Sequence, residues 1–113
     1  MNSCRKGKAG ERELAAWLRE HGVEARRGVQ HAGSPESPDV VADLPGIHLE
    51  VKRTECLRVL PALAQAAADA GPDEVGVVLW RCNRGRWVAV LDGEAWLNLV
   101  LHGSAPVRCA PLA

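Results

Sequence analysis

The sequence predicts an α/β domain built on a mixed five-stranded sheet flanked by helices, and three observations predict it. Apolar residues recur at helical spacing over residues 10–21, 60–70 and 93–101; strand-like runs fill residues 23–27, 38–41, 46–53, 75–81 and 86–91; and glycine, proline or serine clusters separate them. The resulting order, α-β-β-β-α-β-β-α, packs helices against a sheet. At 113 residues and 12.1 kDa the chain has material for one core, so a single domain over residues 1–113 is expected.

Residues 1–8 are short, basic and glycine-containing, which reads as a flexible arm. The first helix, residues 10–21, is closed by Gly22, where a helix end commonly needs a left-handed residue. Its apolar stripe is Leu14, Ala15 and Leu18, and Glu11 lies one turn earlier on that stripe, facing the core. The alternative for Glu11 is an acid favoured by the helix dipole. Glu13 and Glu20 read as surface charges.

A strand over residues 23–27 ends in Arg26 and Arg27, and the glycine- and serine-rich stretch 28–37 is a loop. Gln30, His31, Ser34 and Ser37 in this loop are either solvated or donors to phosphate oxygens. Residues 38–41 and 46–53 form an antiparallel hairpin around the turn 43–46. In its second strand Ile47, Leu49 and Val51 pack one way, while His48, Glu50 and Lys52 are displayed on the other face.

The second helix, residues 60–70, starts with Pro61 in its first turn, is stopped by Gly71 and Pro72, and is alanine-rich enough to lie close on the sheet. Gln65 is its central polar side chain. Residues 75–81 are apolar nearly throughout, as in a strand covered on both faces, and the tight turn 83–85 leads into residues 86–91. The last helix, residues 93–101, carries Trp96, Leu97, Val100 and Leu101, and residues 103–113 form an irregular tail.

Lys plus Arg equals Asp plus Glu at 14 each, which excludes a global attraction to nucleic acid. Basic charge is instead local: Arg5, Lys6, Lys8, Arg12, Arg26 and Arg27 fall in the first 30 residues, and Arg81, Arg84 and Arg86 cluster at one turn. Cys4, Cys56, Cys82 and Cys109 lack any Cys-x-x-Cys or Cys/His spacing and read as free thiols in a reducing compartment. No stretch approaches the roughly 18 apolar residues a membrane span needs. A cytoplasmic protein without membrane partner or small-molecule cofactor is expected.

Asp39 and Glu50, on neighbouring strands, place carboxylates where they can hold Mg²⁺ or Mn²⁺, assisted by the Val51 backbone carbonyl and by Glu11. Such an ion activates water and stabilises charge developing on phosphorus, and Lys52 beside it can position the water or neutralise the phosphate. The competing reading makes Glu50 and Lys52 a same-face ion pair and Asp39 a turn residue.

Pro38-Asp39, a hairpin-length gap and Glu50-Val51-Lys52 resemble the PD-(D/E)XK nuclease superfamily. Within it, the stretch from Lys6-Gly7-Lys8 through Gly10-Glu11-Arg12-Glu13-Leu14, the arginines after the first helix, the serine-containing loop and Gln65 are similar to small Holliday junction resolvases of the archaeal Hjc type. The runs Gly33-Ser34-Pro35 and Val51-Lys52-Arg53-Thr54-Glu55 look more like the phage-type branch. The resemblance implies a restriction-endonuclease-like fold and a Mg²⁺-dependent endodeoxyribonuclease that cuts branched double-stranded DNA. It implies Glu11, Asp39, Glu50 and Lys52 as catalytic residues, with metal held by Asp39, Glu50, the Val51 carbonyl and Glu11. Phosphate contacts fall to Lys6, Lys8, Arg12, Arg26, Arg27, Gln30, Arg53 and a loop serine, Ser34 or Ser37, with Gln65 supporting the site. A related nuclease acting on flaps or nicking DNA, and a silent DNA-binding module, are the alternatives.

Resolution of a four-way junction takes two symmetric cuts, and one chain offers one site, so a homodimer is expected. Val75, Val77, Val78, Leu79, Trp80, Trp87, Trp96, Leu97 and Val100 are apolar material for either core or interface, and Trp87 for packing or for stacking on a base.

Overall fold

The computed structural model describes residues 3–28 and 39–103, with side chains from residue 7 onward. Its elements are α1 (Ser3–Glu20), β1 (Ala25–Arg27), β2 (Val40–Ala42), β3 (Ile47–Arg53), α2 (Val59–Asp69), β4 (Val75–Arg81), β5 (Val88–Val90) and α3 (Gly93–His102). The expected order of elements is the observed one. The strands form one sheet in the order β1-β2-β3-β4-β5. All neighbours are antiparallel except β3 and β4, whose parallel pairing runs from Ile47 opposite Val75 to Arg53 opposite Arg81. A parallel pair needs a crossover, and α2 supplies it.

Strand alternation then divides the core into two halves. Odd residues of β3 and β4 face α1, where Leu14, Ala15 and Leu18 pack on Val40, Leu49, Val77 and Leu79. Even residues face α2, where Ala62 and Ala66 cover Val78 beside Leu57, Trp80 and Val90. Alanine is what lets α2 come so close that the Ala66 carbonyl lies over Gly76. Because α2 roofs this face, His48 and Glu50 are buried at 2% and 5% exposure instead of being displayed as the alternating pattern suggested.

The amino-terminal arm is also corrected: Ser3 to Lys8 belong to α1, which begins seven residues before the expected start at residue 10. Glycine costs a helix interior about 1 kcal/mol, yet Gly10 is buried against the Arg53 and Val51 side chains, so packing outweighs propensity. The other end of α1 follows expectation. Gly22 has φ +86°, and the Val23 and Gly22 amides bond back to the Leu18 and Arg19 carbonyls at 3.0 Å each.

Helix α3 is capped by Asp92, whose carboxylate accepts from the Glu94 and Ala95 amides at 3.0 and 3.4 Å. None of its residues is buried, and Trp96, Leu97, Val100 and Leu101 are all about half exposed. Trp87, by contrast, packs on the α1 side of the core, 6.4 Å from Trp17 with the Arg81 guanidinium over its ring. Cys56 and Cys82 are free thiols, and among the described residues no helix is long and apolar enough to cross a membrane.

Candidate metal-dependent active site

The site grows from the β2–β3 hairpin. Val40 pairs with Leu49, so Asp39, one residue before β2, comes opposite Glu50 when the antiparallel register is continued one step. The Asp39 carboxylate is fixed to the strand it faces: its Oδ2 accepts from the Val51 amide at 2.9 Å. The N–H and C=O of one strand residue point to the same side, so the Val51 carbonyl is directed toward the Asp39 side as well.

Glu50 lies under α2 and its carboxyl is pushed up to about 9. Burial is the main cause, followed by the negative charge of Asp39 and a hydrogen bond with it, and then by Asp69 at the end of α2. Glu11 approaches from α1. Its carboxyl is raised by burial and by the charge of Asp39, and held back by Arg27 and Lys8. Two acids displaced upward around a third are a set of like charges that a cation would relieve.

Lys52 shares the face of Glu50 one strand repeat further on, and its Nζ donates to Gln65 Oε1 of α2 at 3.4 Å. The structure therefore brings Glu11, Asp39, Glu50, Lys52 and Gln65 toward one end of the sheet.

The arginines divide into two groups. Arg27 Nε donates to Glu11 Oε1 at 2.9 Å, and Arg53 donates to Glu13 and Asn83 at 3.0 Å each. Both guanidiniums thus hold protein groups already, and Arg53 is mostly buried. Glu13, expected as a surface charge, is the shared partner of Arg53 and of Arg81, the latter at 3.1 Å, and ties α1 to the ends of β3 and β4. Lys8, Arg12 and Arg26 are exposed. Gln30, Ser34, Ser37 and Pro38, and the side chain of Lys6, lie outside the described residues.

Two residues of this region carried no site assignment in the sequence. His48 Nε2 sits 3.0 Å from Glu50 Oε1, and Asp69 completes a group of three whose ligand atoms all lie within 4.8 Å of one another. The spacing of His48 and Glu50 already put them on one face. For Asp69 no local signal exists, because only the crossover returns the end of α2 to β3.

The donor set fits a divalent cation. Asp39, Glu50, Glu11 and the Val51 carbonyl are hard oxygen donors, few enough that Mg²⁺ or Mn²⁺ would keep several waters, as these ions do.

The chain is similar to known proteins over much of its length. The family model described as archaeal Holliday junction resolvase (Hjc) matches residues 2–59, a segment that contains Glu11, Asp39, Glu50 and Lys52 and ends before Gln65 and Asp69. The solved structure of Archaeoglobus fulgidus Hjc, a Holliday junction resolvase from an archaeal hyperthermophile, superposes with a TM-score of 0.57 at 26% identity, covering 74% of each chain. No curated protein matches the chain.

Proposed function

Because the chain belongs to the archaeal Holliday junction resolvase family, we propose that it is a metal-dependent endodeoxyribonuclease that resolves four-way DNA junctions by paired phosphodiester hydrolysis. The observation that carries the reading is the convergence of Asp39 and Glu50 with Lys52 beside them, inside the segment the family model matches.

Asp39, Glu50 and the Val51 carbonyl would hold Mg²⁺ or Mn²⁺, with Glu11 as a further acid. When bound, the cation supplies Lewis acidity to the scissile phosphate and makes water a better nucleophile. Lys52, steadied by Gln65, positions the attacking water and offsets charge on the phosphate. Arg27 acts on the site through Glu11, which it orients. Lys8, Arg12 and Arg26 offer exposed cations to the DNA backbone, joined by Lys6, Gln30 and a loop serine.

The test is incubation with a synthetic four-way junction, a matched duplex and a flap in Mg²⁺, for the unsubstituted chain and Asp39→Ala. Junction cleavage that Asp39→Ala lowers by about 10²–10³-fold is expected, the cost of deleting one electrostatic element of a transition-state site. Equal cleavage by Asp39→Ala overturns the catalytic assignment, and cleavage of the flap without the junction replaces the resolvase reading by that of a related nuclease.

Paired cutting calls for two chains. The surface offered is α3, where Trp96 and Leu97 are 55% and 48% exposed and Val100 and Leu101 extend the same apolar patch. Val77, Val78 and Leu79, also considered as interface material, are buried within one chain. Light scattering should give a dimer at micromolar concentration, and Leu97→Glu should shift it to monomer, because an unpaired charge in an apolar interface is costly. A monomeric unsubstituted chain would count against paired cutting.

A further inference from the structure

We propose that His48, Glu50 and Asp69 form a second cation position on the α2 side of the sheet, selective for a borderline divalent metal such as Co²⁺ or Zn²⁺. The proposal rests on the nuclease reading only in that Glu50 would be shared, since its carboxyl contacts Asp39 as well as His48 and Asp69.

One side of the group has the spacing of a coordination shell and the third ligand lies within reach of it. Ligands held about 2.0–2.2 Å from a metal at tetrahedral or octahedral angles lie roughly 2.8–3.6 Å from each other. His48 Nε2 and Glu50 Oε1 are 3.0 Å apart, and Asp69 closes a triangle whose longest side is within 4.8 Å. The first two donors are built in: His48 and Glu50 are 2% and 5% exposed, on adjacent same-face positions of a central strand whose register is fixed on both sides. Asp69 is half-buried at the last turn of α2, which leaves an approach from solvent along the helix end.

Chemistry sets the choice of ion. Asp39, Glu50 and Glu11 present oxygen only, which suits Mg²⁺, whereas an imidazole nitrogen with two carboxylates favours later divalent metals. The carboxylates of Glu50 and Asp69 lie within 4.8 Å of each other beside the His48 ring, a concentration of negative charge that a cation offsets. Such a position would let traces of a borderline metal bind beside the Mg²⁺ site and alter its activity.

The experiment is titration of the full chain with Co²⁺ alone, without DNA, followed by visible absorption and by equilibrium dialysis. The expected result is a Co²⁺ spectrum of mixed nitrogen and oxygen ligation, with affinity falling at least about tenfold in both His48→Gln and Asp69→Asn. Asp69→Asn alters a half-buried helix end and keeps the test decisive if His48→Gln does not fold. Co²⁺ binding unchanged in Asp69→Asn overturns the proposal. Mg²⁺-dependent junction cleavage by the unsubstituted chain is measured in parallel. Cleavage without an Asp69-dependent Co²⁺ site rejects the second position alone; an Asp69-dependent Co²⁺ site without cleavage rejects the nuclease reading alone.

Discussion

Glu50→Gln should abolish most junction cleavage, by about 10²–10³-fold, and at the same time make the metal-free protein more stable at alkaline pH. The two effects have opposite signs because one carboxylate serves the cation at the expense of the fold. Glu50 is 5% exposed and its carboxyl titrates near 9, against 4.5 for an unhindered glutamate. Between those values the folded chain keeps a proton that the unfolded chain has lost. Stability therefore falls as pH rises, by at most about 1.4 kcal/mol per pH unit, and the full contribution is present only below the unfolded value. Glutamine has nearly the same shape and does not titrate, so the slope goes with it. Thermal melts in chelator from pH 6 to 9 should show the unsubstituted chain declining and Glu50→Gln level. Added Mg²⁺ or Mn²⁺ should restore the unsubstituted chain most at the alkaline end, since the cation displaces the proton and binds only the folded state. A melting temperature that climbs with pH in chelator would show that Glu50 is not held protonated by burial and its acidic neighbours.

What the sequence could disclose about this site depends on how far apart the cooperating residues lie. The hairpin was legible because turn and alternation act within a few residues: Asp39 meets Val51, and Glu50 and Lys52 share a face, as the spacing requires. Glu11 was legible one step further out, since helical periodicity puts it on the stripe of Leu14 and Leu18, and the sheet does lie under that stripe. Periodicity says which side chains share a face and is silent on what covers it. The same alternation that grouped His48 with Glu50 therefore suggested display, when α2 buries both. Glu13 is a second example. Its position on α1 looks solvated, and only the parallel arrival of β3 and β4 delivers Arg53 and Arg81 to it. At the start of α1, Gly7 and its basic neighbours argued locally for an arm over residues 1–8, whereas the close approach of Gly10 to Arg53 and Val51 is a reason for glycine within the helix that no local rule contains.

Gly76→Ala should be the most damaging single substitution outside the carboxylates, costing about 3 kcal/mol or more and lowering the melting temperature by over about 10 °C. A Cβ at Gly76 would overlap the Ala66 carbonyl and come within 2.8 Å of the Ala67 amide nitrogen. These are backbone atoms of a helix, so no side chain can turn aside; α2 as a whole must lift from β4. Lifting it uncovers Val78, which Ala62 and Ala66 bury, and moves Gln65 and Asp69 away from Lys52 and Glu50. Loss of stability and loss of site geometry should thus appear together, with cleavage reduced even below the melting transition. Gly93→Ala is the control. A Cβ there meets nothing within 4 Å, and Gly93 opens α3, where alanine is the better helix former, so the change should be neutral or stabilising. Urea midpoints and melts of both variants decide the matter: if Gly76→Ala unfolds no earlier than Gly93→Ala, α2 does not lie directly on β4, and the helix cannot be what presses Glu50 into its buried, protonated state.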